Sequence, residues 1–174
     1  MTIYDFVGKK PKIDPSVFIE KSATIIGDVQ IGQGSSVWPN AVIRGDKGTI
    51  RIGKNVNIQD HVIIDSEVDD RVIIGDNVST GHGAILHGCV IADNVIVGMG
   101  AIVMDDVKIH DWVLIGAGTV ITRNTIIPSN SVVLGIPGKV VKKLDALKKQ
   151  YIQENAQIYT ELAKQYLAEH LLHE

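Results

Sequence analysis

At 174 residues the chain is long enough for one sizeable domain and a tail. A formal net charge of −3 with interspersed signs, and no Lys/Arg block larger than Lys9 and Lys10 ahead of the tail, exclude a nucleic-acid-binding surface. No apolar run reaches the roughly 18 residues that cross a membrane, and the N-terminal MTIYDFVGKKPKID lacks a signal-peptide core, which predicts a cytoplasmic protein with no membrane partner.

Along the chain, aliphatic residues first return at every sixth position: Ile13, Ile19, Ile25, Ile31, Val37 and Ile43. The series resumes at Ile52, Ile58 and Ile64, and again at Ile74, Thr80 and Leu86. It then slips by one residue and runs unbroken from Ile91 to Val133. Small residues such as Ala23, Ala41, Ala84 and Ala101 stand two positions ahead of these anchors, and glycine often follows them, as at Gly32, Gly53, Gly75, Gly98 and Gly116. A helix would need a period of about 3.6 and a half-buried strand a period of two; a longer repeat of small, aliphatic and turn-forming residues suits a short strand and a sharp corner. Stacked corners make a solenoid, and three such faces close a triangular coil of about 18 residues. The single cysteine, Cys89, excludes an internal disulfide and a cysteine-rich zinc site, and reads as a small buried filler.

From about Val141 the texture changes to a stretch without Gly or Pro, with Leu144, Leu147 and Tyr151, then Ile158, Leu162 and Tyr166, at helical spacing. The preceding Gly135 to Lys139, GIPGK, suits a turn that redirects the chain. The expected organisation is an all-β solenoid over residues 1–140 and a C-terminal α-helix over 141–174 packing on it. His170 and His173 read as solvated residues of the helix end.

Counting hexads turns the repeat into geometry. With Ile58 on face one, Ile64 on face two and Ile74 on face three, Thr80 returns to face one and Leu86 to face two. Asp65 and His87, each following its anchor, then stack on one edge of adjacent coils, roughly 4.8 Å apart. His82 lies two positions after Thr80, above Asp60, on another edge. Two edges of one triangular coil splay apart, so His82 and His87 of one chain cannot share an ion. Three solenoids about a three-fold axis would bring the His82 edge of one chain to the Asp65 and His87 edge of the next, a ring-closing heterologous contact. The expectation is a homotrimer with intersubunit metal sites.

Arg44-Gly45-Asp46, Asn57-Ile58-Gln59-Asp60, Gly81-His82 followed by His87-Gly88, and Gly135-Ile136-Pro137-Gly138-Lys139 together resemble the γ-class carbonic anhydrase family, including members labelled ferripyochelin-binding proteins. The resemblance covers nearly the whole chain. It implies a left-handed parallel β-helix of hexapeptide repeats, a homotrimer, zinc or iron held by three histidines from two chains, and reversible hydration of carbon dioxide to bicarbonate by a metal-bound hydroxide. His82 and His87 match two of those ligands; Asp65 stands where the family has the third. The resemblance further implies catalytic or supporting roles for Gln59, near the reacting solvent, and for Arg44, Asp46 and Asp60 at the interface. Arg44 and Asp46 equally fit a role as ion-pair partners alone.

A carboxylate is an acceptable ligand for zinc, and two histidines with one carboxylate also suit ferrous iron. The ligand set read from the sequence is therefore Asp65, His82 and His87. Two alternatives stand beside it: His61 swings in, or the site loads metal poorly. An aspartate in place of a neutral imidazole lowers the positive charge of the site, which predicts slow or absent hydration near neutral pH. Lys47 after the Arg-Gly-Asp string and Asn130, where many relatives carry a tyrosine, are two further departures from the family, and they predict weakened proton transfer. Two rival functions remain: a coenzyme A-dependent acyltransferase of the hexapeptide-repeat type, and a non-catalytic trimeric scaffold stapled by metal.

Overall fold

The computed structural model describes residues 2–68 and 70–171, with the side chains of 170 and 171 left aside; His173 and the side chain of His170 lie outside what is described. Short strands, many of only two residues, recur where the hexad anchors turn inward, because each anchor buries one aliphatic side chain before the chain must corner. Asn55, Asn77 and Asn94 occupy one line of corners at φ 54°, 56° and 57°, a left-handed conformation that asparagine tolerates better than most residues. Their amides stack as a ladder, Asn55 Nδ2 donating to Asn77 Oδ1 at 3.2 Å and Asn77 Nδ2 to Asn94 Oδ1 at 3.4 Å.

Among the described residues, seven strands from Phe18–Ile19 to Ser131–Leu134 stack as one parallel face. The other two faces merge into one sheet, because the long strands Thr24–Ile31 and Val42–Ile52 carry the pairing round a corner. The register is the one the hexads predict: Ile58 opposite Thr80, Ile64 opposite Leu86, Ile74 opposite Ile91. The anchors line one continuous core, in which Ile25, Ile43, Ile58, Ile64, Leu86 and Ile115 are fully buried. Ile13 and Ile19, in the first coil, are only partly buried. This is a parallel β-solenoid with one C-terminal helix, and its hexads are those of a left-handed β-helix.

Two details of the tail differ from expectation. Lys139–Lys143 is a strand that pairs antiparallel with Ser131–Leu134, so the helix begins only at Ala146 and ends at Leu171. Asp145 caps it, its Oδ1 accepting from the Lys148 N–H at 2.9 Å. The face that meets the solenoid is different in part: Leu144, Leu162 and Tyr166 of the expected stripe do pack on it. Ile152, Ala156 and Ala163 are buried, with Tyr159, Leu162 and Leu167 packed beside them, whereas Leu147, Tyr151 and Ile158 are exposed. Spacings of four and three put 152, 156, 159 and 163 on one stripe, and the alanines let the helix approach closely. One end of that stripe rests on Phe18 and Trp38, whose rings lie 5.2 Å apart; Tyr166 closes the cluster at 5.3 Å from Trp38. Among the described residues, no helix is long and apolar enough to cross a membrane.

Candidate functional site

The two histidines sit on separate edges, each reached by a carboxylate from a neighbouring coil. On the first edge, His82 Nδ1 lies 2.7 Å from Asp60 Oδ2. Gln59 stands just inside, almost fully buried, with both ends of its amide engaged: Nε2 donates to Asn57 Oδ1 at 3.0 Å, and Oε1 accepts from the His82 N–H at 3.2 Å. Asn57 in turn donates to Ser79 Oγ at 2.7 Å. The strand ends Asn57–Ile58 and Ser79–Thr80 thus hold Gln59, and Gln59 fixes the backbone that carries His82.

The second edge is a run of charge along the solenoid. Arg44, Asp65 and His87 are direct register partners on consecutive coils. Arg44 forms an ion pair with Asp65 Oδ2 and lies 3.8 Å from Asp46 Oδ2. The hydrogen bond to Asp65 and its charge hold the Arg44 guanidinium above its ordinary value. Asp65 Oδ1 accepts from the Ser66 N–H at 2.8 Å. One coil further, His87 Nδ1 lies 2.5 Å from Asp105 Oδ1, and Arg123 holds Asp105 Oδ2 at 2.7 Å. Burial pushes the Asp105 carboxyl up, but the hydrogen bond from His87 and the nearby Arg123 guanidinium outweigh it and leave it below the ordinary value.

A carboxylate only accepts hydrogen bonds, so each imidazole donates through Nδ1 and keeps its lone pair on Nε2. That is the arrangement of a metal-ligating histidine, whose other nitrogen is oriented by a carboxylate. Asp65 also fits a ligand role: its partners Arg44 and Ser66 leave further lone pairs on both oxygens. Within one chain, no three His, Cys, Asp or Glu residues among those described come together as a metal cage. His61 stands exposed on a turn at φ 58°, its N–H given to the Pro39 carbonyl. Asn130 likewise occupies a left-handed turn, at φ 60°. Lys47 pairs with Glu67 at 3.5 Å. Burial pushes the Cys89 thiol up to about 12, so it stays protonated and inert at neutral pH.

A cleft of about 300 Å³ opens beside His82 and Gln59, walled by the solenoid residues Ile96, Met99 and Leu114 and by Tyr151, Asn155 and Tyr159 of the helix. Sequence reasoning missed this wall, because it assigned the helix no part in the site. It missed Asp105 and Arg123 as well. The register pairs Leu86 with Val103, 17 residues on, so Asp105 is one position past the partner of His87, while the 18-residue coil from Val103 to Ile121 carries Asp105 on to Arg123.

The chain matches the "Bacterial transferase hexapeptide (six repeats)" family over residues 10–45 and 88–123. It is 49% identical to a Methanocaldococcus jannaschii protein named "Probable carbonic anhydrase", over 87% of this chain and 96% of that one. It is 39% identical to the mitochondrial gamma carbonic anhydrase 2 of Arabidopsis thaliana over 97% of its own length, and spans 63% of that longer protein. Among solved structures, a hexapeptide transferase family protein from Anaplasma phagocytophilum superposes with a TM-score of 0.92 at 35% identity, over 95% of this chain and 98% of that one.

Proposed function

Because the chain belongs to the γ-carbonic anhydrase family of hexapeptide-repeat proteins, we propose that it works as a homotrimer that hydrates carbon dioxide reversibly, and slowly, at metal sites between subunits. His82 of one subunit, with Asp65 and His87 of the next, would hold zinc or ferrous iron. The observation that carries this reading is the pair of histidines, each with Nδ1 tied to a carboxylate and Nε2 left to ligate.

When bound, the metal supplies a Lewis acid that acidifies water for attack on the substrate carbon. The chain's own residues do the rest. Asp60 and Asp105 fix the tautomer and orientation of the two imidazoles. Gln59 retains one N–H and a spare lone pair beyond its two internal bonds, enough to orient water or bicarbonate near His82. Arg44 offsets the charge of Asp65, so the carboxylate adds less negative potential to the site than an unpaired one would. The apolar side chains of Ile96, Met99 and Leu114 line the His82 side of the cleft.

Metal analysis of protein purified without added zinc under exclusion of oxygen, paired with stopped-flow carbon dioxide hydration, tests the reading. Near-stoichiometric zinc or iron with slow, metal-dependent hydration supports it. A metal-free protein whose fold is protected by acetyl-coenzyme A and not by zinc would replace it with acyl transfer. A trimer that melts on chelation yet shows no hydration would make the metal a staple only.

A further inference from the structure

We propose that Asp105 and Arg123 form a positioning arm that sets the tautomer and aim of His87, an inference that rests on the reading of His87 as a metal ligand. Three consecutive rungs build the arm. The strands Ile85–His87, Ile102–Val103 and Val120–Ile121 run parallel and in register, and the residues just past them bring His87, Asp105 and Arg123 onto one edge. His87 Nδ1 meets Asp105 Oδ1 at 2.5 Å, and Arg123 Nη2 meets the other oxygen at 2.7 Å. A carboxylate gripped at both oxygens cannot rotate away, and because it accepts only, the imidazole proton must sit on Nδ1.

The surroundings are shaped for this contact. The Asp105 side chain is 10% exposed, against 37% for Asp60 beneath His82, so the bond to His87 is shielded from water in a way the bond to His82 is not. Gly88, directly after His87, has φ +50°, and a Cβ there would come 2.9 Å from Asp105 Oδ1, besides colliding with the carboxylate of Asp70. The absence of a side chain at position 88 is what admits the carboxylate beside the ring. Arg123, 59% exposed, spends its charge on a carboxylate that otherwise packs against the solenoid wall. With Nδ1 committed to Asp105, a neutral imidazole keeps its lone pair on Nε2.

The test uses the metal-free trimer and zinc ion as the probe. Long-range 1H–15N NMR at about pH 8, above the ordinary histidine range, reads the His87 tautomer, and competition with a chromophoric chelator reads zinc affinity. The wild type is expected to show His87 protonated on Nδ1. Asp105→Ala is expected to shift it toward the Nε2-protonated form and to weaken zinc binding by about 10- to 100-fold. Asp105→Asn, which keeps an acceptor oxygen without the charge, should retain the tautomer and recover part of the affinity. Arg123→Gln, a surface change that leaves the fold intact, should weaken zinc only a few-fold while broadening the His87 signal. An unchanged tautomer and an affinity within about threefold of wild type in folded Asp105→Ala protein would overturn the proposal. A tautomer that follows Asp105 in a protein that binds no zinc would uphold the positioning arm and overturn the metal reading instead.

Discussion

The edges that carry His82 and His87 use the same device in different settings. Both rings give Nδ1 to an aspartate one coil away, but Asp60 reaches His82 from the coil before, with both side chains open to solvent at 37% and 48% exposed. Asp105 reaches His87 from the coil after, is 10% exposed, and is clamped by Arg123. Low local dielectric strengthens the second contact and solvent competes with the first. In the proposed site, one ligand would be held rigidly by its own chain and the other would stay adaptable until a second subunit docks. A heterologous interface profits from that division, because one side presents a fixed template and the other adjusts to it.

The sharpest break of the comparison is removal of each carboxylate. Asp105→Ala should weaken zinc binding toward the 100-fold end of the range known for such partners and Asp60→Ala toward the tenfold end; chelator competition on both variants checks this, and equal losses would erase the distinction. The glycines after each histidine differ next. Gly83 and Gly88 both have positive φ, yet a Cβ at 83 meets nothing within 4 Å while one at 88 strikes two carboxylates. Gly83→Ala should cost about 1 kcal/mol from backbone strain alone and Gly88→Ala about 2 kcal/mol or more, read by thermal melting. Asp65→His removes a negative charge beside His87 and frees Arg44, so hydration near neutral pH should rise about tenfold in stopped-flow assays. The smallest effect falls two residues past His87. Cys89, fully buried with its thiol raised to about 12, should stay unreactive toward a thiol reagent at about pH 8 until the protein unfolds.

Where a residue's role follows from the hexad period, it is legible in the sequence. The anchors set faces and register, and so place Asp65 opposite His87 and His82 above Asp60. Asp105 escaped because it follows its anchor Val103 by two positions where His87 follows Leu86 by one; the shortened corner at Gly88 brings the two together. The pairing of Arg44 with Asp65 inside one chain was equally hidden, since side-chain direction past a strand end is not set by the period. Of the large apolar residues at helical spacing, Leu144, Leu162 and Tyr166 do pack on the solenoid, whereas Leu147, Tyr151 and Ile158 are exposed, and the rest of the contact is made through Ile152 and two alanines. Size signals hydrophobicity, but close packing selects small residues, and a single chain's sequence does not say which of two apolar stripes faces its own core.

A mixing experiment tests the intersubunit site most directly. His82→Ala and His87→Ala each destroy every site of a homotrimer, yet in mixed trimers the intact His87 edge of one variant meets the intact His82 edge of the other. Co-refolding equal amounts should restore about a quarter of the wild-type zinc stoichiometry, since three in four random trimers are mixed and each has one complete interface of three. No recovery of zinc in trimers shown to be mixed would contradict a site shared between chains.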